Sequence, residues 1–123
     1  MKVQSYKDLI VWQKSIELVK EIYTMTKELP TEEQFGLTSQ MRRASISIPS
    51  NIAEGYKRRR LGEYIRFLCI SDASAAELET QIIISKSLYP NINFFKIDNL
   101  LLEIQKMLAA VIKKMEIKLK TNR

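Results

Sequence analysis

Apolar residues recur at alternating intervals of three and four along most of the 123-residue chain. This spacing places them on one side of an α-helix, so each uninterrupted stretch predicts an amphipathic helix. Turn residues separate four such stretches, at Pro30, between Gly55 and Gly62, and at Pro90. No stretch alternates apolar and polar residues as a β-strand would. The pattern therefore predicts an all-α fold, and short connections make an antiparallel up-down-up-down four-helix bundle its simplest form.

The first predicted helix runs from Tyr6 to Glu28 and has a clear start signal. Ser5 is placed to act as its N-cap, and Asp8, three residues later, occupies the capping-box position. The expected core stripe of this helix is Leu9, Trp12, Ile16, Val19, Tyr23 and Thr26. Pro30 ends the helix, because the residue before a proline is disfavoured in the helical conformation.

The second predicted helix passes through a proline. Thr31 offers its N-cap, with Gln34 three residues later. Its core stripe is Leu37, Met41, Ala44, Ile48, Ile52 and Tyr56. The stripe keeps its phase through Pro49, which removes a backbone donor and crowds the carbonyl of Ser45. We therefore expect one helix, kinked at the proline and ending near Gly55.

The third helix is expected to begin between Leu61 and Glu63 and to end before Pro90. Its core stripe is Tyr64, Phe67, Ser71, Ala75, Leu78, Ile82, Ser85 and Tyr89, and that of the fourth helix is Ile97, Leu101, Ile104, Leu108, Val111 and Met115. Most residues of the segment Ser71–Ala76 are small. Small side chains let a neighbouring backbone approach, so this segment is predicted to be the most tightly packed part of the bundle.

The helices carry more apolar residues than one core stripe needs. The additional ones are Ile10, Ile22 and Met25 in the first helix, Ile65, Ile70, Ile83 and Ile84 in the third, and Leu100, Leu102, Met107 and Ile117 in the fourth. Faces this wide would leave apolar area exposed on a monomer, and such area usually marks an interface. The pattern therefore predicts self-association.

Composition bounds the class of protein. Residues 1–123, 46% hydrophobic and 28% charged, are expected to form a single four-helix-bundle domain. No apolar run approaches the roughly 20 residues that span a bilayer, and charges interrupt the first 20 residues, so we expect neither a membrane segment nor a secretory signal. A cytoplasmic location is the default expectation. The single cysteine, Cys69, is expected to be a small buried hydrophobe.

The net charge of +6 is unevenly distributed. Positive charge concentrates after the second helix and at the C-terminus, two places that share one end of an up-down-up-down bundle. We call this set the basic pole: Lys57, Arg58, Arg59, Arg60, Arg66, Lys113, Lys114, Lys118 and Lys120, with Arg123 at the chain end. Such a surface suits a phosphate backbone, and Tyr56 and Tyr64 could stack on unpaired bases. An acidic protein partner, or a merely solvated turn with lysines favoured by the helix dipole, remains open.

A polar stripe lies inside the second helix beside the apolar one. It contains Arg42, Arg43 and Glu54 together with two serines and an asparagine. One interpretation is a recognition face. The other is an inter-helix or inter-subunit network in which Arg42 or Arg43 meets an acid of the third helix. The candidate acids are Asp72, Glu77 and Glu79.

The usual constellations of catalysis are missing from this composition. The chain has no histidine, so the Glu-x-x-His motifs of bundle di-metal centres and a Ser-His or Cys-His nucleophile pair cannot be built. One cysteine does not make a zinc cluster, and three glycines form no phosphate-binding loop. We therefore expect a non-enzymatic protein without metal or cofactor. A toxin-like or nuclease activity is the opposing hypothesis, which a metal-supplemented cleavage assay would reveal.

Four segments resemble the S23, or four-helix-bundle, family, which is named for open reading frames in intervening sequences of bacterial 23S ribosomal RNA genes. They are Asp8–Gln13, Phe35–Ala44, Ser47–Gly55 and Glu77–Gln81. The resemblance implies an antiparallel four-helix bundle that assembles into a ring-shaped homopentamer. It also implies distant similarity to the accessory protein of diversity-generating retroelements, which has a basic surface and works with a reverse transcriptase and RNA. One departure is the run Arg60–Glu63, where relatives tend to place a serine before the third helix, so its capping is in doubt.

Together these observations predict an oligomeric, non-enzymatic four-helix bundle that binds RNA or DNA through its basic pole. The competing hypothesis is a protein-interaction scaffold without a nucleic-acid role, whose basic residues contact an acidic protein partner.

Overall fold

The computed structural model describes residues 2–122, and within that range it contains four α-helices, two short 3-10 helices and no strand. The α-helices are α1 (Ile10–Thr26), α2 (Leu37–Tyr56), α3 (Leu61–Leu88) and α4 (Phe95–Thr121). The 3-10 helices are Tyr6–Asp8 and Thr31–Glu33. The predicted all-α, four-helix fold is confirmed. α2 continues through Pro49 as one helix, while a kink there stays a prediction.

Each helix packs against its neighbours in chain order, and α4 also packs against α1. Two ion pairs cross the α1–α4 contact, Lys14–Glu103 at 2.8 Å and Lys96–Glu21 at 3.1 Å. The later α1 residue, Glu21, pairs with the earlier α4 residue, Lys96. The two helices therefore run in opposite directions. The four helices thus enclose one core between them.

The core confirms the predicted stripes of α2, α3 and α4 and corrects that of α1. Core residues of the last three helices include Met41, Ile48, Ile52, Leu78, Ile82, Ile104 and Leu108. On α1 the buried residues are Val11, Ser15, Leu18, Ile22, Met25 and Thr26, of which only Thr26 belongs to the predicted stripe. The expected residues Trp12, Ile16 and Val19 are half-buried, and Tyr23 is exposed. α1 carries two apolar stripes with the same spacing, and packing between α2 and α4 decides which one points inward.

The starts of the first two helices also differ from prediction. Ser5 and Asp8 form the expected capping box, but it caps the 3-10 helix, and the extended backbone of Leu9 delays α1 until Ile10. Thr31 does not cap α2, whose N-cap is Gly36. Instead the Glu33 carboxylate accepts the N–H of Leu37 at 3.2 Å.

The prediction that Ser71–Ala76 lies at the tightest packing is supported by the α2–α3 contact, the most extensive helix pair. The Ser71 hydroxyl donates to the carbonyl of Ile48 on α2 at 2.8 Å, and the hydroxyls of Ser47 and Ser74 lie 2.8 Å apart. Near the end of α2, a Cβ placed on Gly55 would lie only 2.6 Å from the Cβ of Phe67. Small residues on both helices therefore set the spacing of this pair.

Surplus apolar residues divide between core and surface. Ile22, Met25 and Leu100 complete the core, whereas Ile10, Ile70, Ile83, Ile84, Leu102 and Ile117 are exposed. Cys69 is exposed too, so its predicted burial is wrong: it lies on the outer side of α3, away from the line of Leu68, Ser71 and Ala75 that faces the core. Within residues 2–122, no helix combines the length and apolarity that crossing a bilayer requires.

A hydrogen bond ties the α1–α2 connection to the end of α3. The Tyr89 hydroxyl donates to the Glu33 carboxylate at 2.5 Å. This bond raises the pKa of Tyr89 to about 12, since a phenolate could not donate. It also lowers the pKa of Glu33, and the N–H of Leu37 acts in the same direction.

Substitution of Gly55 tests the close α2–α3 approach. Gly55→Ala should lower the free energy of unfolding by about 1–3 kcal/mol, because the new methyl group overlaps Phe67 and neither backbone can move cheaply. Gly62→Ala, at an exposed helical position with open space around it, should raise it by about 0.5–1 kcal/mol. Urea denaturation measures both. A Gly55→Ala protein as stable as the parent would contradict the close approach.

The Tyr89–Glu33 bond predicts a difference between the parent and Tyr89→Phe that depends on pH. Because the pKa of Tyr89 is raised from 10.0 to about 12, its stabilising contribution is complete below pH 10 and is lost as pH rises toward 12. The melting temperature of the parent should thus exceed that of Tyr89→Phe at neutral pH, and the gap should close across this window. All other side chains are the same in both proteins, so their contributions cancel in the comparison. A gap that stays constant to pH 12 would contradict the role of this bond.

Candidate nucleic-acid interface

The basic pole is built where the α2–α3 turn meets the end of α4. A concave surface of about 300 Å³ is lined by Arg58, Arg59 and Arg60 from the turn, by Leu61 and Tyr64 from the start of α3, and by Lys118 and Asn122 from the end of α4. The turn is short because α2 ends at Tyr56 and α3 begins at Leu61. The structure therefore places these arginines beside the C-terminal end of α4, as the predicted connectivity requires.

Two arginines of the basic pole are held within the protein. The guanidinium carbons of Arg58 and Arg66 lie 4.9 and 4.6 Å from the centroid of the Phe67 ring. Arg66 also pairs with Glu63 at 3.0 Å, which lowers the pKa of that carboxyl, and Arg58 lies 3.8 Å from Glu54. Cation–π contacts and ion pairs both restrict where such a guanidinium can point.

The other described cations of the basic pole extend into solvent. They are Lys57, Arg59, Arg60, Lys113, Lys114, Lys118 and Lys120. Within residues 2–122 none of them forms an ion pair, a side-chain hydrogen bond or a cation–π contact, and Arg123 lies outside the described residues. The pole contains the N-terminus of α3 and the C-termini of α2 and α4, so two of these three helix dipoles contribute negative potential there. Its positive potential comes from these side chains.

The two tyrosines proposed for base stacking belong to an aromatic cluster. Tyr56 meets Tyr64 edge-to-face at 6.0 Å and Tyr6 at 6.5 Å, and Tyr6 meets Trp12 at 5.4 Å. All four rings are half-buried. Burial raises the pKa of Tyr64, with Tyr56 adding to the effect. The cluster joins the start of the chain to the α2–α3 turn, and its contacts occupy part of the ring surface, while Tyr64 also lines the concave surface with the arginines.

The polar network expected around Arg42 and Arg43 does not form with α3 acids inside the subunit. The Nε of Arg42 donates to the hydroxyl of Thr26 at 2.9 Å, and its guanidinium lies 4.3 Å from the centroid of Tyr23. A second nitrogen of Arg42 reaches the Tyr23 carbonyl at 3.4 Å. The last carbonyls of a helix lack partners within it, so a cation is favoured there. Arg42 therefore serves the end of α1, a role for which the α2 stripe held no signal.

The other predicted members of this network are separated. Arg43 donates to Gln40 at 2.8 Å, and Glu79 accepts a long hydrogen bond from Gln105 at 3.4 Å. Within residues 2–122 Asp72 and Glu77 have no ion pair, and Glu54 meets only Arg58. The inter-subunit form of the network stays a prediction.

An apolar groove between α1 and α2 was not predicted as a surface. It is lined by Trp12, Ile16, Val19, Ile46 and Pro49 and has a volume of about 270 Å³. Ile46 also lines a second concavity of about 500 Å³, which includes polar residues, Arg42 and Arg43, and Phe35, a residue that is 88% exposed. We call both parts the α1–α2 groove. The sequence signal for this groove was the second apolar stripe on α1. The groove residues Trp12, Ile16 and Val19 had been assigned to the core instead.

Within the described chain no three potential ligands are grouped to hold a metal ion. Partial burial raises the pKa of the Cys69 thiol, and the carboxylates of Glu116 and Asp72 add to this effect. The thiol is therefore less ionised than a free cysteine, the opposite of an activated nucleophile.

Comparison with known proteins identifies relatives. The family model described as 23S rRNA-intervening sequence protein matches residues 7–110, which includes the α2–α3 turn and stops before Lys113. A crystal structure of a protein with unknown function from the S23 ribosomal protein family of Bacteroides thetaiotaomicron is similar, with 26% identity and a TM-score of 0.75. The similarity covers 85% of this chain and 99% of that one. No curated protein matches the chain.

Proposed function

The chain belongs to the 23S rRNA-intervening sequence protein family, and from this starting point we propose that it is a self-associating, non-enzymatic bundle that binds the phosphate backbone of RNA or DNA. The observation that carries the proposal is the concave surface on which Arg59 and Arg60 meet Lys118. Cations without a carboxylate partner are favourable sites for an external anion, because binding disrupts no existing ion pair. A polymer of phosphates can engage several of them at once.

Self-association is supported by the α1–α2 groove. Trp12, Ile16 and Val19 leave part of their apolar surface uncovered there, and Phe35 adds an almost fully exposed ring at one end. A contiguous patch of this kind is unusual on a monomer. We propose that the groove is covered by a second copy of the chain, and that the homopentamer implied by the family resemblance is the assembled form.

Assembly would also multiply the binding surface. A single concave surface with three cations gives weak, salt-sensitive contact with a nucleic acid. Several copies of the chain in a ring would present several such surfaces to the same strand. Linked sites bind more tightly than single ones when the spacing lets them engage together. Oligomerisation and nucleic-acid binding are thus connected parts of one proposal.

The first test is size-exclusion chromatography with multi-angle light scattering, with and without mixed bacterial RNA and single-stranded DNA at near-physiological salt. We expect a particle of about five times the 14.3 kDa chain mass, which co-elutes with intact nucleic acid even when magnesium is present. An oligomer that ignores nucleic acid would favour the acidic-protein scaffold. Cleavage of the nucleic acid would overturn the non-enzymatic assignment.

A charge introduced into the α1–α2 groove should prevent assembly. Ile46 is 41% exposed, so Ile46→Glu should leave the folded subunit intact but reduce the mass toward 14.3 kDa, because a carboxylate would be desolvated in the interface. Ile10→Glu is the matched control, since Ile10 is 60% exposed on the same helix pair but outside the groove. Light scattering and circular dichroism measure mass and folding. If both variants dissociate, or neither does, the groove is not the interface.

A further inference from the structure

The arginines of the basic pole differ in whether their guanidinium groups are already engaged by other residues of the protein. Arg58 and Arg66 both lie against one ring, that of Phe67, and each has a carboxylate nearby. A phosphate approaching Arg66 would meet Glu63, only 3.0 Å from the guanidinium, and would be repelled by it. Arg59 and Arg60 form no ion pair among the described residues, although Glu63 lines a neighbouring concavity together with them. The run of three consecutive arginines therefore contains two that are available and one that is engaged.

The lysines of α4 also differ in whether they face the arginine turn, because they lie on different sides of the helix. One residue of an α-helix is rotated about 100° from the next, so Lys118 and Lys120 point to nearly opposite sides of the helix. Lys118 lines the concave surface with the turn arginines, and Lys120 does not. Lys113, seven residues before Lys120, shares the side of Lys120, whereas Lys114, four residues before Lys118, shares the side of Lys118. Only one side of this basic helix thus faces the arginine turn.

The aromatic residues nearby limit what part of a nucleic acid can be recognised. Tyr56 and Tyr64 contact each other edge-to-face, and Tyr56 has a further ring contact with Tyr6. Tyr64 lines the concave surface beside the turn arginines, but both rings are half-buried and part of their surface is already in contact. The exposed side chains of the α2–α3 turn are Lys57, Arg58, Arg59 and Arg60, and cations bind phosphates regardless of base sequence.

Resting on the proposed nucleic-acid binding, we propose that the phosphate contacts are made by a cradle of Arg59, Arg60 and Lys118, and that the cradle binds the sugar-phosphate backbone without stacking on bases. Arg58 and Arg66 act as positioning residues that hold the turn against Phe67. This assignment gives separate roles to five of the nine cations predicted from the sequence. It also replaces the base-stacking role that the sequence suggested for Tyr56 and Tyr64.

The first experiment compares neutral substitutions in a titration of labelled single strands, followed by fluorescence anisotropy at several salt concentrations. Arg59→Gln with Arg60→Gln should weaken binding about tenfold or more and reduce the slope of log affinity against log salt by about two, one for each cation removed. Lys118→Gln should weaken binding, and Lys120→Gln, its control on the opposite side of α4, should change it less than about twofold. Arg66→Gln should weaken binding less than the double variant and leave the salt slope nearly unchanged, because Arg66 holds the turn and contacts no phosphate; its melting temperature reports whether the variant is folded.

The second experiment needs no variant. A thymidine homopolymer, an abasic strand and a uridine homopolymer of equal length should bind the parent protein with affinities within about threefold of one another, because all three carry the same phosphates. Tighter binding of the thymidine strand than of the abasic strand by tenfold or more would overturn the backbone-only assignment. Equal losses in Lys118→Gln and Lys120→Gln, or a loss in Arg66→Gln as large as in the double variant, would overturn the cradle. Absence of binding by the parent protein to every strand would instead refute the proposed function itself.

Discussion

The close approach of α2 and α3 is the constraint on which the rest of the molecule depends. Gly55 has no side chain to separate it from Phe67, and Ser71 reaches the α2 backbone with its hydroxyl. Small residues let the helices approach, and their hydroxyls are satisfied by hydrogen bonds instead of being left unpaired, which would cost about 1–3 kcal/mol each. The approach also sets the position of Phe67 beneath the α2–α3 turn. Arg58 and Arg66 rest on that ring, so the shape of the turn, and the exposure of the arginines between them, follow from helix packing.

The orientation of α1 decides how much apolar surface is covered. Leu18 and Ile22 enter the core, while Trp12, Ile16 and Val19 remain along the α1–α2 groove. Arg42 secures this arrangement by bonding to Thr26 and to the Tyr23 carbonyl at the end of α1. A helix with two apolar stripes can satisfy a core and still present an interface. The same geometry thus accounts for both the mispredicted core stripe and the proposed self-association.

Some charged side chains of this protein pair within the subunit and others have no partner among residues 2–122, a difference that composition does not show. The ion pairs Lys14–Glu103 and Lys96–Glu21 link α1 to α4 far from the pole, and being exposed they contribute little to stability. At the pole, Arg58 and Arg66 are used internally, whereas Arg59, Arg60 and Lys118 have no partner among residues 2–122. The net charge of +6 therefore does not show where on the surface the unpaired cations lie. The concave surface that gathers three of these unpaired cations is small and lies where three helix ends meet.

Sequence alone determined the four helices, the core stripes of the last three, the small-residue contact between α2 and α3, and the proximity of the arginine turn to the C-terminal lysines. These follow from local periodicity, from side-chain size and from the short connections of a bundle, all of which are readable along the chain. Tertiary structure alone decided which stripe of α1 is buried, that Cys69 is exposed, that Arg42 bonds to the end of α1, and which arginines rest on Phe67. Periodicity specifies that a helix has an apolar face. Which of two such faces turns inward, and which side chain meets which partner, depends on neighbours that are distant in sequence and are brought together only by packing.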